Sequence, residues 1–214
     1  MDMLGADALV PSLADLALAA ALAWTAGLRP YLAALVAGLA ARAGGIDLPA
    51  ALAPLAHPAV LGTAAVLSMV EWRVSRMHGL DCLWDVLHTP IRIPAGTAMA
   101  VLALSPQPYA LALAAGAAGA ALATTAHVGK SAVRALMSAD PLARPPRRAL
   151  SLAEELATLA LVGVALASPA LGLAGVVLSF GACAWIMPRL LRRLARIRRE
   201  LLDLLSPLAT TSPR

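Results

Sequence analysis

The sequence predicts an all-α integral membrane protein with about six membrane elements, two of them broken or re-entrant, and a C-terminal amphipathic helix. Three observations carry this reading. Apolar residues make up 60% of the 214 positions and charged residues only 14%, with a mean hydropathy of +0.79, whereas soluble domains carry about 25% charged residues. The apolar runs are interrupted by Pro placed close to Arg, as in "TAGLRPYLA" and "HTPIRIP". The last stretch mixes Leu with a dense set of Arg residues. At about 1.5 Å rise per residue the chain holds roughly six crossing elements with short connections. The expected organisation is one transmembrane domain, 1–188, followed by a basic amphipathic cytoplasmic tail, 189–214.

In chain order, the first apolar stretches are Leu13–Trp24 and Tyr31–Ala41, each short of the roughly 20 residues a helix needs to cross a bilayer. Arg29 and Pro30 between them predict a broken element. The N-terminus carries Asp2, Asp7 and Asp15 where a signal peptide would carry Lys or Arg, so the first apolar stretch is expected to stay in the mature protein. Pro58–Met77 reads as one span whose last third holds Glu71, Arg73 and Arg76. A short helix over Leu80–Leu87 is expected to end at "HTPIRIP", His88–Pro94, which predicts the second interruption. "SPQP", Ser105–Pro108, is a turn. From Tyr109 an Ala, Leu and Gly run continues into "HVGKSAVRALMS" as one long helix leaving the membrane at its C-terminal end. Leu150–Ala167 and Pro169–Met187 form a hairpin about Ser168 and Pro169. Leu190–Leu205 reads as an amphipathic helix lying along an anionic leaflet.

Several function classes are excluded or left without support. The net charge of +5 comes with only 3% aromatic residues, so stacking platforms for nucleic acid are absent and no nucleic-acid partner is expected. Cys82 and Cys183, the two cysteines, lie in apolar surroundings without CxxC spacing and give neither a disulfide framework nor a zinc knuckle. Gly116 and Gly119 in "LALAAGAAGAALA" follow no strand and imply no phosphate loop. Their small faces let membrane helices approach closely, which places this run at the bundle centre. The cofactor is left open.

The polar residues define a candidate site. Asp81, Asp85 and His88 fall at i, i+4 and i+7, and His127, Lys130 and Arg134 at i, i+3 and i+7, giving one acidic and one basic helical stripe. Both stripes, with Glu71, Glu154 and Glu155, fall in one half of the membrane and are expected to face each other across a shared polar vestibule. Ionisable groups at membrane depth are costly unless paired or hydrated, and so mark a pathway or site. Broken helices free backbone groups that hydrocarbon cannot satisfy, and paired breaks point to a transporter site. Arg29 or Arg92 could pair with Glu71 or Asp85, bind an anion, or only satisfy freed carbonyls. Asp81, Asp85 and His88 are also three candidate metal ligands, with the metal left open.

"AGLRPYLAALVAGLAAR", "VEW", "GLDCLWDVLHTPIR", "AHVGKSAVR" and "LSLAEE" together resemble the membrane-protein family catalogued as domain of unknown function 4126, over roughly Leu13 to Leu190. The pattern D-x-x-W-D-x-x-H-T-x-I-R is the most specific part, and Cys82 stands where a small hydroxyl residue is expected. The resemblance implies a polytopic bacterial-type membrane protein whose signature falls on Arg29, Glu71, Asp81, Asp85, His88, Arg92, His127 and Lys130. It brings no biochemical activity.

The functional expectation is a transporter or channel for a small ion or solute. The alternatives are a membrane-embedded lipid-binding protein or enzyme, with Asp85 and His88 as an acid and base pair, and a non-catalytic scaffold subunit. No HExxH motif or G-x-S-x-G elbow supports a particular reaction. Expected partners are membrane lipids and a small ion or solute, with homo-oligomerisation open. Arg144, Arg147 and Arg148 on one side of the last hairpin, and Arg189, Arg192, Arg193, Arg196, Arg198 and Arg199 on the other, put both ends in the cytoplasm of a bacterial inner membrane. Single cysteines at Thr210 and Ser168, in a background lacking Cys82 and Cys183, are expected to react from opposite sides in intact cells. Reaction of both from outside contradicts this orientation.

Overall fold

The computed structural model describes residues 11–44, 46–77, 80–106, 108–139 and 147–209, and among these the secondary structure is entirely helical. The order is α1 (Leu13–Leu28), α2 (Pro30–Arg42), a 3₁₀ turn (Ala50–Ala56), α3 (Pro58–Val74), α4 (Leu80–Ala103), α5 (Tyr109–Ala139), α6 (Arg147–Ala167) and α7 (Pro169–Ala209). Ser12 caps α1 reciprocally with Asp15, which accounts for the helix starting there. Helices α5, α6 and α7 are long and apolar enough to cross a membrane, and the 3₁₀ turn with α3 forms a fourth, broken element bent by 67°. The protein is an all-α integral membrane protein.

Helix α1 is 16 residues long, about 24 Å, and it lies at the centre. Ala17, Leu18, Ala19, Ala21, Leu22, Ala23, Trp24 and Ala26 are all buried, the pattern of a helix enclosed by protein on every side. Its neighbours are α2, α4, α5, α6 and α7. Small residues make this enclosure possible. Gly27 lies against the Ala123 backbone, Gly96 against Ala123 and the Ala23 carbonyl, and Gly119 against Ala100 and the Gly96 carbonyl. A Cβ at any of the three would collide with backbone or a packed methyl group, so the small-residue run of α5 does sit at the bundle centre. At the hairpin end Gly172 of α7 is pressed against Ala165 of α6 in the same way.

The expected break at Arg29 is present: the residue has φ −146° and ψ 77° between α1 and α2. The expected interruption at "HTPIRIP" is not. Helix α4 passes through Pro90 and Pro94 for 24 residues. Each proline removes one ladder hydrogen bond, yet prolines are tolerated in membrane helices where neighbouring groups and hydroxyls satisfy the backbone. Thr89 Oγ1 donates to the Asp85 carbonyl at 2.9 Å and Thr97 Oγ1 to the Ile93 carbonyl at 3.0 Å, which adds side-chain bonds on the turns flanking the prolines, while the carbonyls the prolines leave unpaired are those of Val86 and Pro90. The close fit of Gly96 between α1 and α5 leaves little room for the helix to unwind. The second broken element lies instead at His57, between the 3₁₀ turn and α3.

The basic C-terminal segment also differs from the expected separate helix. It continues α7, whose 41 residues extend about 62 Å. Arg189 Nη1 donates to the Trp185 carbonyl at 2.7 Å and Arg192 Nε to the Pro188 carbonyl at 3.0 Å, bracing the turn that contains Pro188.

Candidate functional site: a buried ion-pair network at the helix break

Four helices and the break itself bring charged groups to the broken end of α1. Arg29 comes from the break, Glu71 and Ser75 from the end of α3, and Asp81, Asp85 and Arg92 from α4. His127, Lys130 and Arg134 come from the C-terminal half of α5, and Ser151, Glu154 and Glu155 from the first turns of α6. The i, i+4 and i+7 spacings turn the polar stripes of α4 and α5 toward each other.

The contacts form one connected network. Arg92 bridges Glu71 Oε1 through Nη2 at 2.6 Å and Asp85 Oδ1 through Nη1 at 2.9 Å. Lys130 Nζ lies 3.3 Å from Asp85 Oδ1 and 3.4 Å from Glu154 Oε2. Arg134 holds Glu154 by two bonds of 2.9 Å from Nη2, and lies 3.6 Å from Asp85 Oδ2 and 3.8 Å from Asp81 Oδ2. Arg29 Nη2 completes the ring, 3.2 Å from Glu154 Oε2 and 3.5 Å from Glu155 Oε1. The same nitrogen donates to Ser151 Oγ at 2.8 Å and Ser75 Oγ at 3.2 Å.

The charges balance. Arg29, Arg92, Lys130 and Arg134 are buried cations, and Glu71, Asp81, Asp85 and Glu154 are buried carboxylates. Arg92 is fully buried, and Arg29 and Glu71 are each 1% exposed. Desolvating an ion costs several kcal/mol even after relaxation, and mutual attraction offsets this only when geometry and extra hydrogen bonds are good. The serine and carbonyl contacts supply those extra bonds. Lys130 Nζ donates to the Leu28 carbonyl at 2.9 Å, one of the acceptors that the end of α1 leaves unpaired. Lys130, rather than Arg29, therefore satisfies the freed carbonyl, and Arg29 serves the carboxylates of α6.

His127 is wired into the network as a neutral ring. Thr89 Oγ1 already donates to a carbonyl, so its 2.9 Å contact with His127 Nε2 requires the ring to donate there. His127 Nδ1 is then free to accept from Arg92 Nη1 at 3.3 Å. His88 stands apart. Its ring stacks on Trp84 with centroids 3.8 Å apart, meets Tyr31 edge-on at 6.0 Å, and donates from Nδ1 to the Trp84 carbonyl at 3.0 Å.

Seven of the eight sequence-predicted residues, Arg29, Glu71, Asp81, Asp85, Arg92, His127 and Lys130, meet in this network, and His88 borders it through the aromatic pair. The shared vestibule is a packed ion-pair cluster and not an open one. Arg92 takes both expected carboxylates, Glu71 and Asp85. Arg134 and Glu154 are joined by three hydrogen bonds of 2.9–3.2 Å, and both lie in the polar region drawn from the sequence, although neither belongs to the eight signature residues. The signals were present in the i+7 position of Arg134 and in "LSLAEE", where Ser151 Oγ donates to Glu155 Oε1 one turn on at 2.9 Å. Among the described residues no group of three or more His, Cys, Asp or Glu side chains is arranged to hold a metal ion; Asp81 and Asp85 both approach Arg134, while the His88 ring packs on Trp84.

Asp85→Asn and Lys130→Met are each expected to destabilise the protein by about 3–5 kcal/mol, because each strands a buried partner. The double variant is expected to recover about 0.5–3 kcal/mol relative to the sum. Arg73→Gln, at an exposed site, is expected to stay within about 0.5 kcal/mol of the parent. Thermal melting in detergent checks all three, and strict additivity of the first pair contradicts a direct interaction.

The network falls wholly inside the part of the chain that a known family describes. Residues 16–189 match the model whose description is "Domain of unknown function (DUF4126)". Comparison with curated proteins and with solved structures finds no match. The residues of the break, of both stripes and of "LSLAEE" all lie within the matched span, and the chain belongs to this family of domain of unknown function 4126.

Proposed function

We propose that the protein is a transporter or channel for a small ion or solute, with the buried network as its gate. The observation that carries this reading is the cluster of four buried cations and four buried carboxylates beside a broken helix. Replacing a buried ion pair by well-packed apolar residues is often neutral or stabilising, so stability alone is a poor reason for eight such groups. Ionisable groups inside membrane bundles otherwise mark substrate or ion pathways.

The exchange locus in this proposal is Lys130 between Asp85 and Glu154. Its two carboxylate contacts, 3.3 and 3.4 Å, are longer than the 2.6 Å Arg92–Glu71 bond. An ammonium on a flexible stem moves between partners more readily than a forked guanidinium. An entering cation or proton would replace Lys130 at one carboxylate, and an entering anion would replace a carboxylate at Lys130. Arg92 and Arg134 would keep the remaining charges paired during either step. In this proposal the protein lies in a bacterial inner membrane with the network toward the cytoplasm. Arg189, Arg192, Arg193 and Arg196 line one surface cleft of α7 and suit anionic lipid headgroups, with which Lys and Arg gain about 1 kcal/mol each near the surface.

Reconstitution at matched protein-to-lipid ratio, screening protons, monovalent and divalent ions and small anions across a pH series, tests the proposal. Wild type is expected to move at least one of them, Lys130→Met and Asp85→Asn to abolish that flux, and Arg196→Gln to retain it. Absence of wild-type flux throughout the screen, or equal flux in Lys130→Met and Asp85→Asn, contradicts it.

A further inference from the structure

A lateral groove opens beside the network and shares Arg29, Glu71 and Glu155 with it. Helices α3 and α6 flank α2, and the space between them, about 360 Å³, falls within the roughly 300–1,000 Å³ of small-molecule sites. Its walls are apolar, with Leu32 of α2, Ala65 and Met69 of α3 and Leu159 of α6. Met69 and Leu159 are exposed on the outer surface of the bundle, so the groove faces the bilayer. Its inner end is polar, with Arg29, Ser68, Glu71 and Glu155, and Trp72 stands beside them.

That inner end holds polar atoms that the network does not use. Glu71 gives Oε1 to Arg92, while Glu71 Oε2, Arg29 Nε and Ser68 Oγ are buried with no hydrogen-bond partner among the described residues. Unpaired buried polar atoms cost about 1–3 kcal/mol each, and native proteins rarely leave several together. Two of these atoms belong to side chains that are 1% exposed. Glu71 Oε2 requires a donor and Arg29 Nε requires an acceptor.

We propose that this groove binds one acyl chain of a membrane amphiphile whose head is uncharged and hydroxylated, as in a monoacylglycerol. A hydroxyl donates and accepts at once, so it suits both an orphaned acceptor, Glu71 Oε2, and orphaned donors, Arg29 Nε and Ser68 Oγ. The charged groups of the groove are one cation and two carboxylates, and Glu154 and Glu155 already compensate Arg29 at 3.2 and 3.5 Å. A phosphate or carboxylate head would face Glu71 and Glu155, and the cation next to the groove, Arg76, is stacked on Trp72 at 3.8 Å and lies 3.8 Å from Glu155. An ammonium head offers Arg29 Nε no acceptor. The chain lies over Ala65, Met69 and Leu159, where the flexible Met side chain adapts to an irregular partner. The site does not depend on the transport reading, and it is tested without flux.

Trp72 supplies the readout. The protein in phosphatidylcholine nanodiscs is titrated with a monoacylglycerol carrying a dibrominated chain, a fluorescence quencher, and in parallel with a dibrominated phosphatidate and a dibrominated alkylamine. The Trp72 signal is the difference between wild type and Trp72→Phe. Expected is saturable quenching by the monoacylglycerol, half-complete at a mole fraction about tenfold lower than for either charged probe, the ratio that one or two net hydrogen bonds supply. Leu159→Phe and Ala65→Phe, each with helix content verified by circular dichroism, are expected to remove saturation by filling the groove. Ser68→Ala is expected to raise the half-saturating fraction several-fold. Quenching that rises linearly and equally with all three probes, preference for the phosphatidate or the alkylamine, or saturation unchanged in the folded Leu159→Phe variant overturns the proposal.

Discussion

Lys130 reaches Asp85, Glu154 and the Leu28 carbonyl from a single nitrogen, and this convergence ties the helix break to the ion-pair network. Helix α1 can end in the bundle because a cation is present to take its exposed carbonyl. That cation can be buried because carboxylates from α4 and α6 stand on either side. Those carboxylates are in turn held by Arg92, Arg134 and Arg29. Removing any member leaves a desolvated charge without its partner, so the helices that carry them are held in one arrangement. The apolar half of the bundle follows a different rule, in which Gly27, Gly96 and Gly119 set how closely α1, α4 and α5 approach.

Much of this was legible in the sequence. Composition placed the chain in a membrane, and Arg29 with Pro30 between two short apolar runs located the break. Helical spacing turned Asp85 and Lys130 toward each other, and they lie 3.3 Å apart. Pro90 and Pro94 read as a break because the rules for proline come from water-exposed helices, while a helix clamped at Gly96 keeps its course. The basic tail read as a separate helix because its composition changes at Arg189, just after Pro188, yet α7 continues through both. The sequence put Glu154 in the shared polar region but could not name its partners, which are 20 or more positions away in the chain: Arg134, Lys130 and Arg29.

His88 shows the limit of reading a stripe as a site. Its position one turn beyond Asp85 is correct, but Trp84 and Tyr31 enclose its ring, and its Nδ1 is committed to a backbone carbonyl. The neutral imidazole that touches the charged groups is His127, between Arg92 and Thr89. A side chain's register decides which face it occupies, and the neighbouring helices decide whether that face meets charge or aromatic surface.

The central claim is that the buried carboxylates are ionised and that four cations neutralise them. Infrared spectroscopy of the folded protein in bilayers at neutral pH, with isotope-labelled Asp and Glu, reads this directly. The account predicts ionised carboxylate bands from Glu71, Asp81, Asp85 and Glu154, identified by their loss in the corresponding amide variants, and no protonated carboxyl band from these four residues. A protonated carboxyl band that disappears in Glu71→Gln, Asp85→Asn or Glu154→Gln contradicts it.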